Sequence, residues 1–389
     1  MGFQAIGVRP DIIDSLNKIG VVNPTPIQLC VVPRAVEGES VVARSQTGSG
    51  KTLSYLVPMI QRFMSGQRGL ILAPTRELVQ QIAEVLKSIS SLSVAVIYGG
   101  VEYAPQCESL ALLPDIIIST VGRLKDLMAQ GVAAIDKVDY FVLDEVDQML
   151  DLGFRDDILQ LSALRSEVCQ TLCFSATLPS QVNDVVENLL DKQYFKAEVE
   201  DESLAVERIE QVGYYVSRDM MSHLLIHTLQ TSPPQKGIIF TRSRRMADSL
   251  TKLIGERGIT AEAIHSDRSQ TAREHILSRF KTGETPILVA TDVIARGIDV
   301  DDVDVVYNYG MPQESEQYIH RIGRTARAGR SGRAVSFCDP AEKVLVDNVC
   351  KLMRRHIIMS TNHPYATPDI LKVLAPTKPT SKRKARAKK

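Results

Sequence analysis

No stretch of this 389-residue chain approaches the ~18 consecutive apolar residues that a membrane-spanning helix needs. The opening residues, MGFQAIGVRPD, lack both the apolar segment of a secretory signal and the Arg/Ser bias of a transit peptide. Met1-Gly2 begins like a myristoylation site, but Ile6 stands where that pattern needs Ser or Thr. Cysteine is sparse and unpatterned. Among Cys30, Cys107, Cys169, Cys173, Cys338 and Cys350, only Cys169 and Cys173 are close, and no second Cys/His pair stands at metal-binding spacing. Small buried thiols in a reducing compartment fit this better than zinc ligands or disulfides. The expectation is an intracellular, cytoplasmic monomer with no membrane partner.

Net charge is absent too, with 46 basic and 46 acidic side chains. The balance hides an asymmetry. Lys378, Lys382, Arg383, Lys384, Arg386, Lys388 and Lys389 crowd the end of the chain with no acid among them, so the rest is acidic overall. Any nucleic-acid contact by the folded part must come from locally placed donors. The basic end itself could anchor RNA, address a nucleus or be a solvated terminus.

What is present is an α/β pattern written twice. Apolar residues make up 44% of the chain, and its length suits two domains. Strand candidates in the first half are residues 40–43, 69–73, 93–98, 115–119, 140–143 and 171–174. In the second half they are 237–240, 260–264, 286–290, 303–307 and 332–337. Continuous β-branched runs suit strands covered on both faces, hence parallel sheets. Periodic segments such as 76–90 and 243–256 suit crossover helices. The acidic segment 196–208 lacks a clear core face, and a linker is expected near 201–208. The expected organisation is a first domain over 1–200, the linker, a second domain over 209–360 and a disordered basic tail over 361–389.

The chemistry begins at Ser45-Gln46-Thr47-Gly48-Ser49-Gly50-Lys51-Thr52, which follows a strand candidate and opens a helical stretch. Backbone N–H groups of such a loop, with the helix N-terminus, cradle phosphate. Gly48 and Gly50 permit close approach, Lys51 can reach the β/γ-phosphates, and the Thr52 hydroxyl can hold Mg²⁺. Ser45 replaces the usual first glycine. About ninety residues later the strand Tyr140–Leu143 ends in Asp144-Glu145-Val146-Asp147. Asp144 is placed to bind Mg²⁺ through water, and Glu145 to orient or deprotonate an attacking water. Acidic strand ends are common solvated features; the partner lysine is what gives this one meaning.

With these residues the chain resembles the DEAD-box RNA helicases of helicase superfamily 2, over nearly its whole length. Gly20-Val-Val-Asn-Pro24-Thr-Pro26-Ile-Gln28 resembles the Q motif, with Phe3 upstream. By that resemblance Gln28 reads the adenine edge and Phe3 stacks on the ring. Pro74-Thr75-Arg76-Glu77, Gly99-Gly100 and Thr120-Val121-Gly122-Arg123 resemble RNA-binding motifs, as do Thr241-Arg242, His265-Ser266-Asp267 and Thr291 in the second half. They would grip phosphates without reading sequence. Thr75 is equally an ordinary helix N-cap. Ser175-Ala176-Thr177 resembles a coupling motif whose hydroxyls would meet Asp147 and His320. Gly297 and Asp299 would face the nucleotide. His320-Arg321-Ile-Gly-Arg324-Thr-Ala326-Arg327 resembles the motif that supplies arginine fingers, Arg324 and Arg327. Val121, Val146, Ser266, Ile294 and Ala326 depart from the family's usual residues.

The resemblance implies two tandem RecA-like domains, each a mainly parallel sheet flanked by helices. It also implies ATP and Mg²⁺ as ligands, RNA as partner with protein cofactors open, and ATP-driven unwinding or remodelling of RNA. A slow-turnover RNA clamp or scaffold is the alternative reading. Few aromatics stand beside the RNA motifs in the sequence, so base stacking is expected to be minor.

Overall fold

The computed structural model of the chain describes residues 2–45, 49–132, 138–190, 193–199, 209–292, 300, 303–326 and 332–367. The expected linker and the tail from 368 lie outside them. The first seven strands are β1 (Val41–Arg44), β2 (Gly69–Ala73), β3 (Val94–Ile97), β4 (Ile116–Thr120), β5 (Val138–Leu143), β6 (Arg165–Ser175) and β7 (Phe195–Glu198). The second seven are β8 (Ile209–Tyr215), β9 (Gly237–Thr241), β10 (Ala261–Ile264), β11 (Ile287–Thr291), β12 (Val305–Tyr309), β13 (Gly332–Cys338) and β14 (Ile358–Ser360).

They form two seven-stranded sheets, ordered β3-β4-β2-β5-β6-β1-β7 and β10-β11-β9-β12-β13-β8-β14. Adjacent strands pair in parallel, as in Ala43 opposite Phe174 and Val289 opposite Ile239. Parallel strands need crossovers, so helices cover both faces of each sheet. That is why strands such as β2 and β11 are buried along their whole length. The cores follow. Ile71, Ile118 and Phe174 pack on one face of the first sheet, and Leu70, Phe141 and Cys173 on the other. The two faces of the second sheet carry Ile239 and Val289, and Ile238 and Leu288.

The crossover helices form where their apolar spacing puts one stripe on the sheet. In the helix Arg76–Ile89, Leu78, Val79, Ile82, Leu86 and Ile89 are buried, and Thr75 Oγ1 caps the start by accepting from Leu78 N at 3.3 Å. Ser243 caps the helix Arg244–Gly255 in the same way, accepting from Met246 N.

Three strands, β7, β8 and β14, were not expected. β7 lies partly in the acidic segment read as linker-like, yet it pairs with β1 as an edge strand, burying Ala197 alone. β8 alternates buried with half-buried or exposed positions between β13 and β14. Residues 361–367, expected in the tail, pack on the second domain. The Nε2 atom of His363 lies 2.8 Å from the Tyr215 carbonyl, and Tyr365 sits against His223 and His227.

Strand order fixes where sites can form, because ligands bind beyond the carboxyl ends of parallel strands. β1, β6 and β5 end together, which gathers the phosphate loop, the Ser175 turn and the acidic turn. β2, β4 and β3 end together on the other half of the same edge.

Candidate nucleotide and RNA sites between the domains

The phosphate loop is anchored from two sides. Gly50 adopts φ +94°, open to glycine without strain, and precedes the helix Lys51–Arg62. Gln28 accepts from Thr25 N at 2.9 Å, as one half of a capping box, and its Nε2 donates to Gly50 O at 3.0 Å. Both ends of that amide are therefore engaged within the protein. The amide ties the Q motif to the loop. Phe3 is the residue expected to stack on the base. It is only 2% exposed, packed into the core with Ile6 and Val8, and presents no open ring face. Ser45 Oγ donates to Ser49 Oγ at 2.6 Å, so the serine in the glycine position stitches the loop's ends. Gln46, Thr47 and Gly48 lie outside the described residues.

Lys51 is buried and donates to Ser45 O at 2.9 Å. It faces three carboxylates. Asp144 is buried; burial raises its pKa against the opposing pull of Lys51. Its Oδ2 accepts from the Tyr55 hydroxyl at 2.9 Å, one turn along the helix from Lys51. Its Oδ1 is buried with no hydrogen-bond partner among the described residues. Glu145 is pushed up to about 7, first by burial and then by Asp144, while Lys51 and Arg324 act the other way. Its backbone is left-handed, at φ 55°, where a residue with a side chain is strained.

Asp147 joins the Ser175 turn as expected. Its Oδ2 accepts from both N and Oγ1 of Thr177 at 2.9 Å, and its N–H donates to Ser175 Oγ at 3.3 Å. Burial alone would raise its pKa; His320 and Lys51, with the Thr177 bonds, carry it below the usual value. His320 belongs to the second domain, and together with Thr177 and Asp147 it lines one cleft of about 530 Å³. Arg324, buried, comes from the same turn and acts on Glu145. The structure thus gathers Lys51, Asp144, Glu145, Asp147, His320 and Arg324 at one boundary. Gly297, Asp299 and Arg327 lie outside the described residues.

A second cavity, of about 480 Å³, opens where β2, β3 and β4 end. Pro74, Thr75, Arg76, Gly100, Thr120, Gly122 and Arg123 all line it. Its guanidinium groups converge: burial lowers the Arg76 pKa, and Arg273 and Arg123 add to the effect by repulsion. Such a set invites an anion. Two second-domain residues, Ser266 and Arg273, also line the cavity. Arg273 forms a buried ion pair with Glu77, and Gln80 Nε2 donates to Glu274 Oε1 at 3.2 Å. Sequence reasoning missed Arg273. A signal existed in an arginine four residues after the Ser269 cap, at helical spacing from the buried Ile276 and Phe280.

Two expected RNA residues are placed elsewhere. Arg242 donates to Met311 O and pairs with Glu342 at 2.6 Å inside the second domain. Asp267 is exposed and pairs with Arg244. Neither lines the cavity. Thr291 ends β11 and is buried. The Arg242 side chain keeps partial exposure beside its Glu342 partner.

Two RecA-like folds in tandem, one bearing a phosphate loop and the other Arg324 beside its acidic turn, define a two-domain nucleotide-dependent helicase. Comparison with known proteins agrees. The profile of the DEAD/DEAH box helicases matches residues 25–185, and that of the helicase conserved C-terminal domain matches residues 218–329. The ATP-dependent RNA helicase CshA of Listeria monocytogenes is 37% identical over 87% of this chain and 66% of its own length. The DEAD-box ATP-dependent RNA helicase CshA of Geobacillus kaustophilus is 36% identical over 87% of this chain and 74% of its own. S. cerevisiae Dbp5 bound to RNA and ADP BeF3 superposes with a TM-score of 0.83 at 25% identity, covering 96% of this chain and 99% of that one. The DEAD-box helicase Mss116 bound to ssRNA and UDP-BeF gives 0.83 at 29%, covering 95% and 81%. The chain belongs to the DEAD-box family of ATP-dependent RNA helicases. It spans between 66% and 74% of the length of these two CshA relatives. Among the described residues no helix is long and apolar enough to cross a membrane.

Proposed function

We propose that the chain hydrolyses ATP in a composite site and uses the closing of its two domains to bend one RNA strand. A bent strand cannot stay in an A-form duplex, so a short helix melts where it is gripped. The observation that carries this reading is the convergence of Arg324 and His320 on Glu145 and Asp147 from across the domain boundary.

Lys51 and the loop N–H groups hold the phosphates. Glu145 orients a water in line with the γ-phosphorus and accepts its proton as the new P–O bond forms, while the bond to the ADP oxygen breaks. Arg324 supplies positive charge to the γ-phosphoryl group only when the domains meet, so hydrolysis waits for closure. The orphaned Oδ1 of Asp144 and the nearby Thr52 hydroxyl fit a hydrated Mg²⁺, which would neutralise charge on the β- and γ-phosphates. Asp147, held by Thr177, faces His320 of the second domain, which would couple the nucleotide to the domain boundary. ATP and RNA would both favour the closed form, so each strengthens the other's binding. The bacterial relatives support a cytoplasmic setting and give a nuclear address no support.

The test compares RNA-stimulated ATPase and short-duplex unwinding for wild type and Arg324→Ala. Loss of both with nucleotide still bound is the expected result. Normal hydrolysis by the variant would remove the composite site. Tight ATP-dependent RNA binding by wild type with no strand separation would replace unwinding with clamping.

A further inference from the structure

The RNA cavity has an aromatic wall that the residue order conceals. Tyr103 and Phe154 both line it, beside Gly100, Thr120 and Arg123. Phe154 packs against the core of the first domain. Tyr103 does not; it remains 42% exposed. Its ring is nevertheless held. The Arg123 guanidinium lies over one face, 3.9 Å from the centroid. The hydroxyl donates to the Asp126 carboxylate, which also accepts from Gln130 Nε2 at 2.9 Å. Arg123 in turn is only 7% exposed and donates to Val101 O at 2.6 Å, while its Nη1 has no hydrogen-bond partner among the described residues.

We infer that Tyr103 is a stacking platform for one nucleobase of the bound RNA. The inference rests on the reading of this cavity as the RNA path. A ring clamped at its hydroxyl and on one face loses little freedom when a base covers the other face. Its neighbours Arg76 and Arg123 are built for phosphate, so a strand whose backbone they hold brings a base beside the ring. Every base has a π-face, so the contact is sequence-tolerant but fixed in position along the strand. Arg123 behind the ring strengthens the platform by keeping it flat against the wall.

The experiment measures binding of a ten-nucleotide RNA in the presence of ADP–beryllium fluoride, with one abasic ribose walked along the strand. Wild type is expected to lose about fivefold or more in affinity at one position. Tyr103→Ala and Tyr103→Leu should bind intact RNA correspondingly weaker and show no penalty at that position, whereas Tyr103→Phe should retain it. Thermal melting checks each fold. A wild-type scan without a position-specific loss overturns the platform, as does an equal penalty in wild type and Tyr103→Leu. If Tyr103 only positioned Arg123, its variants would weaken intact and abasic RNA alike. Arg123→Ala separates the two readings: unchanged RNA affinity there removes the RNA path itself, while weakened binding with a flat wild-type scan removes the platform alone.

Discussion

Arg273 reaches across the domain boundary to Glu77 at 2.5 Å, and both side chains are buried. The pair sits between the arginines of the RNA cavity and the body of the second domain. Breaking a buried pair costs about 3–5 kcal/mol, because the remaining charge is stranded. In Glu77→Gln, Arg76, Arg123 and Arg273 would repel one another without the carboxylate. RNA-stimulated ATPase should fall tenfold or more, and the RNA concentration for half-stimulation should rise. Titrating RNA at saturating ATP reads both. An unchanged RNA dependence would show that the pair does not report on domain contact.

Glu145→Gln should trade activity for stability. An unfolded glutamate titrates near 4.5 and the folded one at about 7. Between those values the folded state holds a proton that the unfolded state has lost. Stability therefore falls as pH rises through that window, by about 3 kcal/mol at most, and stays lower above it. The amide carries no charge and escapes this cost. The variant without nucleotide should melt higher than wild type at pH 8, with the gain shrinking toward pH 4.5. Its ATPase should drop about a hundredfold or more. Equal melting curves across this range would refute the buried-charge account.

Gly50→Ala isolates the anchor of the phosphate loop. A Cβ there would lie 2.5 Å from Gln28 Nε2 and 2.9 Å from Thr25 Oγ1, at φ +94°. Nucleotide affinity should fall at least tenfold, because the Q motif and the loop can no longer meet. Gly258→Ala is the control. Its φ is +79°, but nothing lies within 4 Å of the added carbon. That variant should lose about 1 kcal/mol of stability and no nucleotide affinity. A fluorescent nucleotide titration with melting curves distinguishes them.

Ala326→Gly should stabilise the protein. Ala326 sits at φ 58°, the left-handed region, where a Cβ costs about 1–2 kcal/mol. The departure from the family's glycine is thus a local strain beside Arg324. The second domain should melt about 2–4 °C higher in the variant. No increase would mean that its neighbours, not the Cβ, set this backbone.

The motifs were legible because each is a short contiguous string at a strand end. Lys51 and Asp144 share one site, and Thr177 bonds Asp147 as the resemblance implied. What distance along the chain hides is partnership. Glu77 and Arg273 belong to different halves, and no local pattern pairs them. The Gln28 amide also holds Thr25 and Gly50, and no local pattern announces the second contact, 22 residues away. β7 was missed because four residues with one buried position carry too little periodicity. β8 does alternate, but it adjoins an acidic segment that drew attention to a linker.

The matching strand order of the two sheets has a consequence for stoichiometry. The turn after β8, Val216-Ser217-Arg218-Asp219-Met220, occupies the seat that the phosphate loop holds after β1. It has neither glycine nor lysine, so the first copy of the fold offers the phosphate loop and the second offers Arg324. Under the proposed mechanism each molecule would consume a single triphosphate per cycle, although it carries two folds. Because both copies share one polypeptide, their encounter is unimolecular, and turnover per enzyme is independent of dilution.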